Sequence, residues 1–278
     1  DSVLAQDHHE LDVLGADNHS TDDSVAVVQA FGDERVSVWR NNCNVGFARN
    51  LDQVARRAGG DYMVMLSSDD LVRPGALATY VRILRHLGDD ASRTVLTSRM
   101  DVIDADDIVT GTIGPDPEVW STADLSADLQ AIAGAPVYSA DASTVLRRSM
   151  FCMRNPASFA ATCYPRALYE ALEGYGGARL INPDKWFNWR LLGEATRICF
   201  VDAPLFAYRW HAQNQTAQQA ATGALKYLVD EYAMTLEVDS ALLAKAGVTR
   251  AQIEDAFVEY DVARHGLATL ARGDRARA

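Results

Sequence analysis

Apolar positions along the chain follow two spacings. Residues 62–66, Tyr-Met-Val-Met-Leu, form an unbroken apolar run of strand length that stops at Ser67-Ser68-Asp69-Asp70. Similar runs at 11–16, 36–39, 94–100 and 197–201 predict further strands. Between them the apolar residues recur every three or four positions. Ala48, Leu51, Val54, Ala55 and Ala58 predict a helix over 48–58, stopped by Gly59-Gly60. Leu77, Val81 and Leu84 mark one face of a helix over 74–87, with Pro74 suited to its first turn. Thr21 to Asp23 predict the cap of a helix running to about residue 31. Strand and helix thus alternate four times with short links, which predicts an α/β chain with a mostly parallel sheet covered by helices. The second half is less regular. Helices are expected over 121–133, 141–151, 166–172 and 184–192, a turn at 155–158 and a strand across 159–164. Two long amphipathic helices are expected over 218–238 and 249–271. The first six residues read as the middle of a helix, as if the sequence were trimmed there.

Composition narrows this picture. The 278 residues are 48% hydrophobic and 23% charged, which is ordinary for a protein with a sizeable core. A net charge of -12 argues against a non-specific grip on nucleic acid. An acidic enzyme acting on a polyanion needs a metal or local arginines to offset repulsion. The cysteines, Cys43, Cys152, Cys163 and Cys199, form no C-x-x-C pair and read as reduced core or near-core residues. No run approaches a membrane span and no signal peptide is visible, so the expected location is cytoplasmic.

Candidate chemistry sits at strand ends. In an open α/β sheet, ligands bind outside the carboxyl ends of the strands. Asp69 and Asp70 end one strand; they suit a hard divalent cation, or equally a turn and a helix N-cap. Asp17 follows the 11–16 strand, and His19 shares its loop. Gly46 allows close backbone approach to a ligand, and Arg49 can reach a diphosphate or a base. Asp184 opens a helix after a glycine-rich stretch. His211 follows an apolar strand. The acidic cluster Asp101, Asp104, Asp106 and Asp107 reads as a solvated turn. The chain carries neither the G-x-G-x-x-G of a dinucleotide fold nor a P-loop.

Taken in order, Asp17-Asn18-x-Ser-Thr-Asp, Asn44-x-Gly46-x-Ala-Arg49-Asn50, Leu66-Ser-Ser68-Asp69-Asp70-x-x-x-Pro-Gly-Ala-Leu and Arg209-x-His211 resemble the family 2 nucleotide-sugar glycosyltransferases of the GT-A fold. The resemblance covers about residues 1–216. It implies a nucleotide-binding half over about 1–112, an acceptor half over 113–216, and a helical extension over 217–278 that packs on the domain or forms a homodimer surface. It implies nucleotide contacts from Asp17, Asn18, Asn44, Gly46, Arg49, Ser68 and Asp69. Asp69, Asp70 and His211 would hold Mn²⁺ or Mg²⁺, Asp184 would be the general base, and Lys185 and Trp186 would meet the acceptor. The implied reaction is inverting transfer from a nucleotide sugar, with UDP as the default nucleotide, to a hydroxyl of a glycan, lipid, peptide or natural product. Departures are Ser67, where the family has the first Asp of D-x-D, and Pro183, where it has the Glu of a Glu-Asp pair. The family's first strand is also missing ahead of Asp1. These departures leave two alternatives: a nucleotide-sugar-binding protein without activity, and a sugar nucleotidyltransferase of the same fold.

Overall fold

A computed structural model describes residues 1–176, 180, 183–211, 214 and 224–264. Asn182, and parts of the helices expected over 218–238 and 249–271, lie outside these residues. Two sheets form. In the first, β1 (Val13–Asp17) pairs in parallel with β2 (Val36–Arg40), joined by α1 (Ser24–Gln29). The second sheet has seven strands. They are β3 (Tyr62–Val64), β4 (Leu71–Val72), β5 (Thr94–Ile103), β6 (Val109–Ile113), β7 (Val137–Asp141), β8 (Cys163–Pro165) and β9 (Arg197–Arg209).

This sheet is mixed. β5 and β9 are parallel, whereas β8 is antiparallel to β3 and β5, β4 and β7 are antiparallel to β9, and β6 is antiparallel to β5. It follows that β3, β5 and β9 all run the same way. Their carboxyl ends, and so Asp69-Asp70, the 104–107 turn and His211, open onto one edge of the sheet.

Successive residues of the central strands face opposite cores, as the period of two requires. Val95, Ile198, Phe200 and Tyr164 enter one core, and their neighbours Leu96, Cys199, Val201 and Cys163 enter the other. Helices α3 (Ala76–Leu87) and α4 (Ala127–Ala133) cover the second face. The first face is covered by α5 (Ala142–Cys152), α6 (Arg166–Ala171) and α7 (Pro183–Glu194), and by α2 (Phe47–Ala55). Helices α8 (Ala224–Glu237), α9 (Ser240–Ala246) and α10 (Arg250–Ala256) pack into that same core through Met234, Val238, Leu242, Leu243 and Ile253, and a π-helical segment, Phe257–Arg264, follows. Among the described residues no helix is long and apolar enough to cross a membrane.

Several local expectations change. The buried face of α3 is Ala76, Thr79, Tyr80, Ile83 and Leu84, so Leu84 is buried as expected while Leu77 and Val81 are half-buried, and Tyr80 reaches across to donate to the Ala161 carbonyl at 2.7 Å. Residues 1–6 form turns, not a helix. Buried Gln6 staples them to α3 by donating to Arg73 O at 3.0 Å and accepting from Leu77 N at 3.3 Å. The 159–164 run splits into a 3-10 turn and the short β8. Cys43 is exposed, and all four cysteines are free thiols.

Candidate active site

The site has three parts. The first lies at the ends of β1 and β2, where asparagines tie two loops together. Asn18 donates to Asn44 Oδ1 at 2.9 Å and accepts from Val45 N at 2.9 Å. Asn41 donates to Asn50 Oδ1 at 2.7 Å, and Asn50 donates to Ala16 O at 2.9 Å. Asn44 also accepts from Gly46 N. Gly46, with φ 85°, turns the chain into α2, a backbone setting that a side chain would strain. Asp17 ends β1, and its carboxylate accepts from Ser20 N and faces Arg40 at 3.4 Å. Those contacts, Ser20 first, hold its carboxyl below the usual range. His19 turns its ring toward Asn41 O. Arg49 is exposed and makes no side-chain hydrogen bond or ion pair with a described residue.

The second part joins the ends of β3 and β9. His211 Nε2 stands 3.1 Å from Asp69 Oδ2, and Asn214 Nδ2 stands 3.3 Å from the same oxygen. Asn214 in turn accepts from His211 N. Asp70 points elsewhere: it is buried, its Oδ1 accepts from Arg209 N at 3.0 Å, and burial pushes its carboxyl up to about 6. Ser68 is exposed at the tip of the turn. Arg209 is a residue that the sequence did not single out by role. Its guanidinium donates to Asp69 O at 2.9 Å, Asp104 O at 2.7 Å and Asp107 Oδ1 at 2.5 Å. The 104–107 turn, expected to be merely solvated, thus seats the arginine that braces Asp69-Asp70.

This donor set fits an open divalent site. One carboxylate and one imidazole face each other at an edge where a diphosphate would supply oxygens, as hard cations on phosphate substrates require. Among the described residues no group of three or more His, Cys, Asp or Glu converges, so Asp69 and His211 would hold the cation without Asp70.

The third part is the start of α7. Pro183 is its first residue, where a missing N–H costs nothing. Asp184 follows, and its Oδ2 accepts from Asn155 Nδ2 at 2.8 Å. Asn155 is itself held by Asn188, one helical turn beyond Asp184, at 2.8 Å; Asn188 also donates to Ala157 O at 2.9 Å. Burial raises the Asp184 carboxyl, opposed by the neighbouring backbone amides, Lys185 and Asn155. Asn155 was expected only as a turn residue, and no local pattern marks it as a partner of a residue 29 positions later.

Lys185 and Trp186, expected at the acceptor, both turn inward. Trp186 is buried in the core beside the Arg190 guanidinium. The Lys185 ammonium is taken by Glu231 and by Met153 O at 2.9 Å. Lys185 to Trp189 are all buried, so this stretch of the helix has no free face for these residues to present. The aromatic group beside the site is instead Phe47, half exposed directly after Gly46, with Phe159 and Tyr175 at ring distances of 5.7 and 6.0 Å. Tyr175 stacks on Phe187 of α7 at 4.4 Å, so this cluster connects the Gly46 turn to the helix of Asp184.

Comparisons with known proteins agree with this geometry. Residues 1–125 match the family model described as Glycosyl transferase family 2. No curated protein matches the chain significantly in sequence. Among solved structures, the chain is similar to S. aureus TarS 1-349 in complex with UDP-GlcNAc, at 15% identity and a TM-score of 0.65, over 93% of this chain and 65% of that one. TarS 1-349 in complex with UDP gives 15% and 0.59, over 93% and 64%. The mannosyltransferase PcManGT from Pyrobaculum calidifontis, in complex with GDP-Man and Mn²⁺, gives 15% and 0.55, over 98% and 73%. The chain spans just under two thirds of the TarS 1-349 chains. Residues 1–125 thus resemble the glycosyl transferase family 2 model, and the chain as a whole shares the GT-A fold of these structures.

Proposed function

We propose that the chain transfers a sugar from a nucleoside diphosphate donor, with UDP the default, to an acceptor hydroxyl with inversion at the anomeric carbon. One observation carries this reading: residues 142 positions apart, Asp69 and His211, meet at 3.1 Å where β3 and β9 end, at the edge that a GT-A fold uses for its donor. Support also comes from the family match and from the donors bound by the similar structures.

The residues divide the work. The asparagine-linked loops and the Gly46 turn form the cradle for the nucleoside, and Asp17 in this reading accepts from the imide N–H of uracil. Arg49, exposed at the start of α2, is free to approach the diphosphate. A divalent cation held by Asp69 and His211 would neutralise charge growing on the leaving diphosphate. Arg209 keeps that carboxylate in place, its guanidinium donating to the Asp69 carbonyl and its backbone N–H to the Asp70 carboxylate. Asp184 takes the acceptor proton as the oxygen attacks opposite the leaving group. A partly desolvated carboxylate with a raised pKa is a better proton acceptor than a solvated one, and Asn155 keeps one of its oxygens oriented.

The test is release of nucleoside diphosphate from UDP-N-acetylglucosamine and GDP-mannose, with Mn²⁺ and with EDTA. Metal-dependent turnover that Asp69→Ala abolishes supports the reading. Tight donor binding by calorimetry with no turnover of either donor favours the inactive-binder alternative, which Ser67 and Pro183 motivate.

A further inference from the structure

Two successive residues at the start of α7 grip one turn. Asp184 accepts from Asn155, and Lys185 donates to the carbonyl of Met153 at 2.9 Å. Met153 closes α5 in a left-handed conformation, with φ 52°, so the turn at 153–155 has little slack to follow a moving partner. Lys185 can make its contact only because its charge is compensated. Its side chain is 7% exposed, and the compensating carboxylate is Glu231, also 7% exposed, on α8. Helix α8 has an inverted face for this purpose: Asp230 and Glu231 are buried while Val229, Tyr232 and Leu236 are exposed. A lysine buried without a partner either loses its proton or withdraws to water. Either way the hold on Met153 weakens, and Asn155 lies two residues further along.

We propose that Glu231 is a positioning residue for Asp184, acting through Lys185 to fix the register between the first turn of α7 and the 153–155 turn that carries Asn155. The C-terminal helices then belong to the active site's support rather than forming a separate appendage. This inference rests on the reading of Asp184 as the base.

The experiment uses the full chain and compares Glu231→Gln, Lys185→Met and Asp184→Asn. Nucleoside diphosphate release from UDP-N-acetylglucosamine and GDP-mannose with Mn²⁺ gives kcat and KM, and hydrogen exchange follows the amides of 153–157 and 184–188. For Glu231→Gln the expected result is a roughly tenfold loss of kcat with donor KM nearly unchanged, as for a displaced catalytic group. The amides of both segments should exchange at least tenfold faster, on the order of one lost buried contact. Lys185→Met should behave alike. Combining Glu231→Gln with Asp184→Asn should cost no more kcat than Asp184→Asn alone. If Glu231→Gln fails to fold, the apolar pair Lys185→Met with Glu231→Leu removes the charges together and carries the same expectations. Wild-type kcat and exchange in Glu231→Gln, beside a lost Asp184→Asn, overturn this inference alone. A wild-type rate in Asp184→Asn overturns the base reading and this inference with it.

Discussion

Replacing Asn155 by Ala tests how the base is tuned. The amide of Asn155 donates to Asp184 Oδ2 at 2.8 Å, and this bond opposes the burial that raises the Asp184 carboxyl. A hydrogen bond to a charged group is worth about 1.5–3 kcal/mol. At 1.36 kcal/mol per factor of ten, its loss disfavours the ionised base by roughly 10- to 100-fold. The sign is fixed. A base works when deprotonated, and removing a donor to its ionised form moves its pKa further up. The acid limb of kcat/KM should therefore move to higher pH, with the deficit large near neutrality and shrinking as pH rises. Stability should fall as well, by about 1.5–3 kcal/mol where Asp184 is ionised, because Ala157 N also loses its acceptor Asn155 Oδ1 at 3.4 Å, although Asn188 keeps its bond to Ala157 O. The assay is nucleoside diphosphate release across the pH range, paired with urea unfolding. An unmoved acid limb and a neutral rate within about twofold of wild type would refute the reasoning, since each tenfold requires 1.36 kcal/mol that would then be missing.

Three further outcomes are expected. Asp69→Ala should abolish Mn²⁺-dependent donor binding while the fold survives; unchanged affinity in calorimetry at saturating Mn²⁺ counts against the assignment. Asp17→Ala should narrow a preference for UDP over CDP, because the wrong base leaves a buried acceptor unpaired; equal wild-type affinities for the two nucleotides would sink the claim. Asp70→Asn should flatten a pH dependence of stability. With its pKa raised to about 6, Asp70 binds its proton more tightly in the folded state, so stability is highest below the unfolded pKa and is lost as pH rises toward and through 6. That amounts to about 3 kcal/mol in the wild type, measured by urea unfolding in EDTA, and the idea fails if the two proteins lose stability in parallel.

The meeting of the loops after β1 and β2 was largely legible because it is local. Asn18 and Asn44 lie 26 positions apart, yet each sits in a loop that a strand-then-helix pattern already places at a strand end. Asp69 and His211 were legible for a similar reason: an apolar run marks the strand that leads to each. Length escaped the pattern where burial changed along a strand. β9 runs to Arg209, well past the 197–201 run, because Asp202 is held by Arg99 at 2.7 Å and the strand continues beyond the polar interruption. β7 was missed because Val137 to Asp141 has no clear alternation, and its ladder is formed on β9, a distant strand. The mixed character of the sheet was hidden as well, since β4 is two residues long and offers no period to read.

Helix α7 shows the deeper limit. Periodicity finds a helix by the contrast between a wet face and a dry one. Around α7 that contrast is absent: Trp186, Phe187, Trp189, Leu191 and Leu192 are buried, and so are Lys185 and Asn188. Asp184, Lys185 and Asn188 are satisfied by partners at 29 to 46 positions' distance, so their meaning is not written near them. A lysine next to a candidate catalytic carboxylate then invites the reading of a substrate contact, whereas burial turns it into a strut. The same logic explains how Asp184, as the proposed base, would tolerate Pro183 in place of an acidic neighbour. An adjacent carboxylate would raise the Asp184 pKa further in a site where burial already raises it. Asn155 supplies orientation without adding charge, so the proposed base would be supported by a turn and two helices rather than by the residue before it.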